Sequence, residues 1–206
     1  MYFENKRFVV FLFLGLFSLL NLSGCATFFT KQPKEGQEYL TWKARKQQLL
    51  ALNNWDLTGS LGVNYQGKND IVNFAWQQKN SDYSLDFHGP LHLGGANIIG
   101  DSNGVVLQKS ATEIIRANSP EELLQSQFGW SLPVSSMYYW VRAIPSPKVV
   151  VKGSSFDQYN HLISLSQFGW RIRYADFKSI NSMDLPTKIY MDSPNLHVKM
   201  VFQWDI

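Results

Sequence analysis

Cysteine is nearly missing from this 206-residue sequence: there is one, Cys25. A single cysteine excludes an intramolecular disulfide, even in a compartment that would permit one. Long apolar runs are missing too. The run from Phe8 to Leu20 covers thirteen residues, whereas a spanning helix needs about 20. Charge of one sign is also scarce. Nineteen Lys and Arg face sixteen Asp and Glu, a formal +3. The basic residues are scattered and form no stripe, which speaks against a nucleic-acid partner. There is no Gly-x-Ser-x-Gly elbow and no phosphate-binding glycine loop, and the carboxylates fall among turns and polar faces. Nothing here indicates an enzyme. The histidines are His88, His92, His161 and His197. His88 and His92 stand four apart, but Gly89-Pro90 lies between them, so they flank a turn and do not form a helical metal pair. No metal and no cofactor is expected.

What is present begins with an address. Lys6 and Arg7 precede the apolar run, the pattern of a secretory leader. Leu22-Ser23-Gly24-Cys25 follows directly and looks like a bacterial lipobox. Small residues let a peptidase grip the backbone, and the cysteine thiolate is the nucleophile for thioether lipidation. Residues 1–24 are therefore expected to be removed and Cys25 to be acylated. A bacterial lipoprotein normally carries three chains, which makes anchoring effectively permanent, since one chain alone holds only marginally. Ala26, and not Asp, follows the cysteine, which favours sorting to the outer membrane. The leader takes Lys6, Arg7 and Glu4 with it, so the mature chain is one charge less positive than the full sequence. Residues 25–37 read as the lipidated N-terminus and a tether. The twelve residues 26–37 reach about 40 Å fully extended. Residues 38–206 are enough for one domain with a real core.

Tyr39 to Leu52 has helical spacing, with Tyr39, Trp42, Leu49 and Leu52 near one face and Lys43, Arg45 and Gln47 elsewhere. From Trp55 the period changes to two. Trp55, Leu57, Leu61, Val63 and Tyr65 alternate with polar residues, a Gly67-Lys68-Asn69-Asp70 turn follows, and Val72, Phe74, Trp76 and then Tyr83, Leu85, Phe87 continue the pattern. Trp170, Ile172 and Tyr174 repeat it, as do Leu196, Val198, Met200, Phe202 and Trp204. This is an antiparallel meander. Between the two groups of strands, Ser119-Pro120-Glu121-Glu122 carries the signals of a helix start. A second short helix is expected over Ser136 to Arg142. With one face of every strand apolar, the expected fold is mostly β: a curved sheet or incomplete barrel lidded by these short helices. The pentapeptide Ser126-Gln127-Phe128-Gly129-Trp130 recurs as residues 166–170. The flanks do not match, so it is read as coincidence and not as a repeat.

The segment Gly89-Pro90-Leu91-His92-Leu93-Gly94-Gly95 joins two expected strands. It puts two leucines where solvated tips normally carry Asn, Asp or Ser. Either both leucines fold back into the core, or the tip dips into a bilayer, gaining about 1.5–3 kcal/mol per leucine buried.

The most specific stretch is Gly129-Trp130-Ser131-Leu132-Pro133-Val134, followed by Trp140 and Ile144-Pro145. To it are added the lipobox, the helix from Tyr39, the strand after Asn53-Asn54-Trp55, Phe74-Ala75-Trp76-Gln77-Gln78 and the Gly89-Pro90-Leu91 tip. Together these resemble the LolB family of outer-membrane lipoprotein receptors of Gram-negative bacteria, over essentially the whole mature chain. Ala143 stands where the family pattern usually has Gly, Met137 where it has Leu, and His92-Leu93 where relatives usually place a Gly.

The resemblance implies a half-open antiparallel β-barrel with a helical lid and an apolar cavity. It implies a monomer that is lipid-anchored in the outer membrane and faces the periplasm. Such a protein would accept acylated lipoproteins from the periplasmic carrier LolA and release them into outer-membrane phospholipid, in the inner leaflet. By the same resemblance Leu91 is the protruding residue, with Pro90 and Leu93 beside it. Trp55, Leu57, Phe74, Trp76, Leu85, Phe87, Trp170 and Ile172 lie on alternating apolar faces and are candidates for acyl-chain contact, with plain core packing the equal alternative. Lys43, Arg45, Arg171 and Arg173 are available for contact with the carrier, but charges on solvated faces are ordinary, and they stay unassigned. The rival readings are a lipid-anchored, lipocalin-like carrier of a small apolar ligand, a scaffold that binds no lipid, and an enzyme of envelope lipids.

Overall fold

The switch from helical to two-residue periodicity near Asn53 is where the chain enters its sheet. The computed structural model describes residues 39–88, 96–110, 112–129 and 131–206. Cys25, the leader and tether, and Pro90, Leu91, His92 and Leu93 lie outside the described residues. Helix α1 (Trp42–Ala51) starts where Thr41 accepts a hydrogen bond from the Ala44 amide. It is followed by strands β1 (Asn54–Tyr65), β2 (Lys68–Lys79), β3 (Asp82–His88), β4 (Ala96–Gly100), β5 (Val105–Gln108) and β6 (Ile114–Ala117). Helices α2 (Pro120–Phe128) and α3 (Val134–Trp140) interrupt the strands. The chain then returns through β7 (Val151–Phe156), β8 (Leu162–Gln167), β9 (Trp170–Ile180), β10 (Met183–Asp192) and β11 (Leu196–Asp205).

All strands pair antiparallel in one sheet of order β6-β5-β4-β3-β2-β1-β11-β10-β9-β8-β7. The last strand closes on the first, Leu57 opposite Trp204 and Tyr65 opposite Leu196. The two edges, β6 and β7, do not pair. The half-open arrangement expected from the sequence is thus observed, with the helical insert running from one open edge to the other. Gly59 sits between Phe74 and Phe202 on the neighbouring strands. A Cβ there would stand 2.1 Å from the Val201 carbonyl oxygen, so only glycine lets β1 and β11 approach this closely.

The antiparallel ladder gives the sheet a near end, where β1 begins, and a far end, where it finishes. Turns 80–81, 101–104 and 181–182 lie at the near end, and turns 66–67 and 168–169 at the far end. The expected four-residue turn at Gly67 is shorter in the structure. Gln66 and Gly67 alone form it, both with positive φ, and Lys68 to Asp70 already pair with β1. A two-residue loop of this hand matches strand twist and needs only one glycine.

Helix α1 begins three residues later than the spacing predicted, and its buried contacts correct one assignment. Leu49 enters the core as expected, but so does Arg45, 4 % exposed. Arg45 donates to Asp184 at 3.1 Å and to the Tyr159 carbonyl at 3.3 Å. His161 completes the group, with its ring nitrogens 2.8 Å from Asp157 and 3.1 Å from Asp184 and its ring stacked on Phe177. Burial pushes the Asp184 pKa up, but the hydrogen bonds and charges of His161 and Arg45 outweigh this and hold it below the ordinary carboxylate value. A depressed native pKa contributes stability that is fully present above the unfolded value of about 4 and is lost as pH falls through the native one. Acid should therefore loosen α1, and Asp184→Asn should remove that part of the acid dependence, read as unfolding midpoint against pH.

Residues Tyr39–Ile206 form one compact unit with a continuous core of buried side chains from every strand but β6 and β7. Among the described residues, no helix is long and apolar enough to cross a membrane.

Candidate functional site

Alternation puts the large apolar side chains on one face, and the ladder lines them up in rows. One row runs through direct cross-strand pairs: Leu107, Ile98, Leu85, Trp76, Leu57 and Trp204. A second runs through Val63, Val198, Met191, Ile172 and Leu165. Every member of both rows is buried. Trp55 lies beside the first row, with ring centroids 5.1 Å from Trp76 and 5.5 Å from Trp204. Of the side chains singled out as acyl-contact candidates, Trp55, Leu57, Phe74, Trp76, Leu85, Trp170 and Ile172 are buried on this face, and Phe87 is half-buried against it.

The helices cover this face with apolar groups of their own: Leu49 from α1, Leu123 and Leu124 from α2, and Val134, Met137 and Trp140 from α3, with Val141 and Ile144 just beyond. Among the described residues these side chains pack against the apolar strand face. The lid is fastened by a few polar contacts. Gln167 on β8 accepts from the Trp140 indole at 2.9 Å and the Ser146 amide at 3.0 Å. It also donates to the carbonyls of Ser146 and Val149. Arg142, 1 % exposed, donates to the Tyr138 carbonyl and to the carbonyls of Leu49 and Leu52, and its guanidinium lies 4.1 Å from the Tyr138 ring centroid. It thus ties the end of α1 to α3. Burial pulls its pKa below the ordinary arginine value, against the opposing contribution of Tyr138. It still carries charge, because arginine does not deprotonate in proteins. Among the described residues it has no carboxylate partner, and the carbonyl ends of α1 supply the negative potential instead.

Helix α3 starts at Val134, two residues before the expected Ser136. Pro133 at its cap makes no side-chain hydrogen bond. Glu121 of α2 performs that role, accepting from the Ser135 amide at 2.8 Å and the Ser135 hydroxyl at 3.2 Å. No local pattern at residues 130–136 announces a cap supplied from another helix. Helix α2 itself follows the sequence reading, with the Ser119 hydroxyl accepting from the Glu122 amide and Pro120 in the first turn. At its end Gly129 is left-handed, as is Gly169 in the second copy of the pentapeptide, which forms a hairpin turn instead. Arg142, Gln167 and Glu121 were missed by sequence reasoning. Val134, Met137 and Trp140, three apart, with Val141 four after Met137, were the available signal for the lid's inner face.

Ala143, where the family pattern usually has glycine, adopts φ +53°. A left-handed alanine costs about 1–2 kcal/mol, partly offset by the smaller unfolded-state entropy of alanine over glycine and by its buried methyl group. Ala143→Gly should therefore raise the unfolding free energy by roughly 0.5 kcal/mol, measured as a shift in urea midpoint.

Among the described residues, two polar atoms on the covered face have no hydrogen-bond partner, the Trp55 indole nitrogen and the Tyr174 hydroxyl. Burial raises the Tyr174 pKa, so the group stays neutral. An unpaired buried polar group costs about 1–3 kcal/mol. A cleft of about 810 Å³ opens at the near end between the strand turns and the lid, reaching Trp76, Tyr83, Ser135, Tyr138 and Tyr139. Burial, then Glu121 and Asp101, raise the pKa of the Tyr83 hydroxyl, which also lacks a partner among the described residues. The arrangement offers an apolar interior, a helical cover and neutral donors within.

Comparison with known proteins agrees with this construction. Residues 53–204 match the model of the family described as "Outer membrane lipoprotein LolB". The chain is 36 % identical over 185 residues to the outer-membrane lipoprotein LolB of Coxiella burnetii strain RSA 493, covering 89 % of this chain and 87 % of that one. It is 34 % identical to that of Nitrosococcus oceani, over 93 % of this chain and 95 % of the relative. Among solved structures, a LolA superfamily protein from Nitrosomonas europaea is similar in fold. Its TM-score is 0.55 and its identity 9 %, over 81 % of this chain and 94 % of the other. A DUF1329 family protein from Desulfovibrio piger gives a TM-score of 0.54 at 9 % identity, over 79 % and 88 % of the two chains. The chain belongs to the LolB family of outer-membrane lipoproteins.

Proposed function

We propose that this protein is the outer-membrane receptor that accepts acylated lipoproteins from the periplasmic carrier LolA and inserts them into the inner leaflet of the outer membrane. The observation that carries the reading is the apolar face covered by helices, with the unpaired Trp55 indole and Tyr174 hydroxyl on it. Acyl chains need a dry, adaptable interior, and the ester and amide carbonyls of an acylated cysteine are acceptors for such donors. In this reading Trp55, Leu57, Phe74, Trp76, Leu85, Phe87, Trp170 and Ile172 meet acyl chains once the lid lifts. The small-ligand alternative is disfavoured by family membership.

Residues 1–24 are the leader, Cys25 carries the lipid and 25–37 are the tether. Similarity covering 93 % of the chain cannot fit within residues 39–206, so it takes in part of this N-terminal segment in relatives named lipoproteins. Transfer runs downhill, each recipient holding the cargo more tightly than the last. A tenfold advantage needs only about 1.4 kcal/mol.

The tip Pro90-Leu91-His92-Leu93 guides release into the bilayer, with Leu91 foremost. Leu91→Glu should accept cargo from LolA at the normal rate but deliver it to liposomes at least tenfold more slowly, because a carboxylate opposes entry into hydrocarbon. Uptake and delivery are measured separately with radiolabelled lipoprotein. Normal delivery by this variant would refute the role of the tip.

A further inference from the structure

Four two-residue hairpin loops occur among the described residues, at 66–67, 80–81, 168–169 and 181–182. Their first positions hold Gln66, Asn80, Phe168 and Asn181, all with positive φ. Asn and Gly are the residues such turns favour, and a bulky aromatic in this conformation is strained. Phe168 is also 61 % exposed. Packing therefore does not explain why phenylalanine stands there. Its neighbour is equally unusual. Val151 pairs with Gln167, so Val150, one step further, lies alongside the Phe168 turn, and Val150 is 80 % exposed.

Behind this apolar point is a groove of about 510 Å³ whose lining includes Lys152, Ser166, Arg171 and His197. Its one carboxylate, Asp192, is engaged by His197 at 3.0 Å and Arg173 at 3.5 Å. Lys152 and Arg171 form no ion pair among the described residues. The point and groove sit at the far end of the sheet, the end at which β3 finishes and β4 begins. An exposed aromatic and a valine at a rim, backed by two free cations and a hydroxyl, match the layering of a bilayer surface. Hydrocarbon takes the apolar groups and headgroup phosphate takes the cations.

We infer that the β8–β9 turn with Val150 is a second membrane-contact point, which seats the far end of the sheet on an anionic phospholipid surface through Phe168, Val150, Lys152 and Arg171. The inference rests on the receptor reading, in which this chain is anchored by Cys25. Geometry permits it. The first described residues pack at the near end, Tyr39 against Tyr159 and Trp42 against Phe156. A twelve-residue tether reaches about 40 Å, which is also about the length of twelve-residue β1. The far end can therefore reach the anchor's own membrane. Two separated contacts fix an orientation that a single contact cannot.

The test uses the full-length acylated chain in vesicles of phosphatidylethanolamine and phosphatidylglycerol, 3:1. Acylation consumes the thiol of Cys25, so V150C provides a single free thiol for a nitroxide label, and S102C, in the turn 101–104 at the near end, provides the control. The expected result is that the label at 150 becomes at least threefold more accessible to oxygen than to a water-soluble nickel complex, while the label at 102 stays in water. Phe168→Asp, or Lys152→Glu with Arg171→Glu, should return position 150 to water, and phosphatidylcholine vesicles should do the same. A label at 150 as water-exposed as that at 102 overturns the inference. So does retention of inorganic phosphate by the Lys152 and Arg171 pair with no immersion in vesicles. Immersion that survives the double charge reversal overturns the headgroup contact. Cargo uptake from LolA without vesicles reads the receptor assignment independently, so the two can fail separately.

Discussion

Gln167→Leu is expected to lower the unfolding free energy by about 3–5 kcal/mol, with a drop in Tm of roughly 10 °C. The side-chain amide of Gln167 is used to capacity. Its oxygen accepts from the Trp140 indole and the Ser146 amide, and its nitrogen donates to two carbonyls. Leucine fits the volume but leaves the Trp140 indole, the Ser146 amide and the Val149 carbonyl without these partners, and the residue is only 1 % exposed. The Ser146 carbonyl keeps the Val149 amide at 3.5 Å. The chain provides its own control. Gln127 has the same neighbours on both sides, yet among the described residues its amide donates only to the adjacent Ser126 hydroxyl near the surface. Gln127→Leu should change stability by no more than about 0.5 kcal/mol. Urea unfolding of both variants measures the difference, and equal effects would contradict the assignment of Gln167 as the clasp of the lid.

Arg142→Lys is expected to raise the affinity for acylated ligand about tenfold while lowering stability by about 1–2 kcal/mol. Lysine keeps the charge but loses the planar fork that reaches the Tyr138, Leu49 and Leu52 carbonyls together. In the receptor reading acyl chains take the face against which the lid's side chains pack, so ligand binds the open form. Apparent affinity is the intrinsic affinity scaled by the open fraction. Weakening the latch raises that fraction, so uptake improves and delivery slows. Titration with a synthetic triacylated lipopeptide, followed by tryptophan emission, reads the affinity. Reduced stability with unchanged affinity would make Arg142 a packing residue only.

The sheet was legible because alternation is a local property. In β11 every second residue from Leu196 to Trp204 is buried, as the sequence alone implies. Helix α2 was legible for the same reason, since its cap, proline and first-turn glutamates are consecutive. Helix α3 was displaced by two residues because its cap is Glu121, fourteen positions upstream. Arg45 reads as an ordinary solvated charge and Arg142 only as the end of a helix, because nothing nearby in sequence discloses Asp184 or the carbonyl ends of α1. The paired pentapeptides make the point within one chain, since identical residues end a helix in one place and turn a hairpin in the other. The candidate face was read correctly as apolar, but its cover of Met137, Trp140, Val141 and Ile144 depends on how the insert folds back.

Passage of cargo through this protein is measured by a two-stage transfer assay. LolA loaded with radiolabelled lipoprotein is mixed with this chain, first alone and then with liposomes. Label is expected to move onto this protein in the first stage and into liposomes in the second. Label that stays on LolA, while this protein binds a free fatty acid instead, would rule out the receptor role and favour a carrier of small apolar ligands.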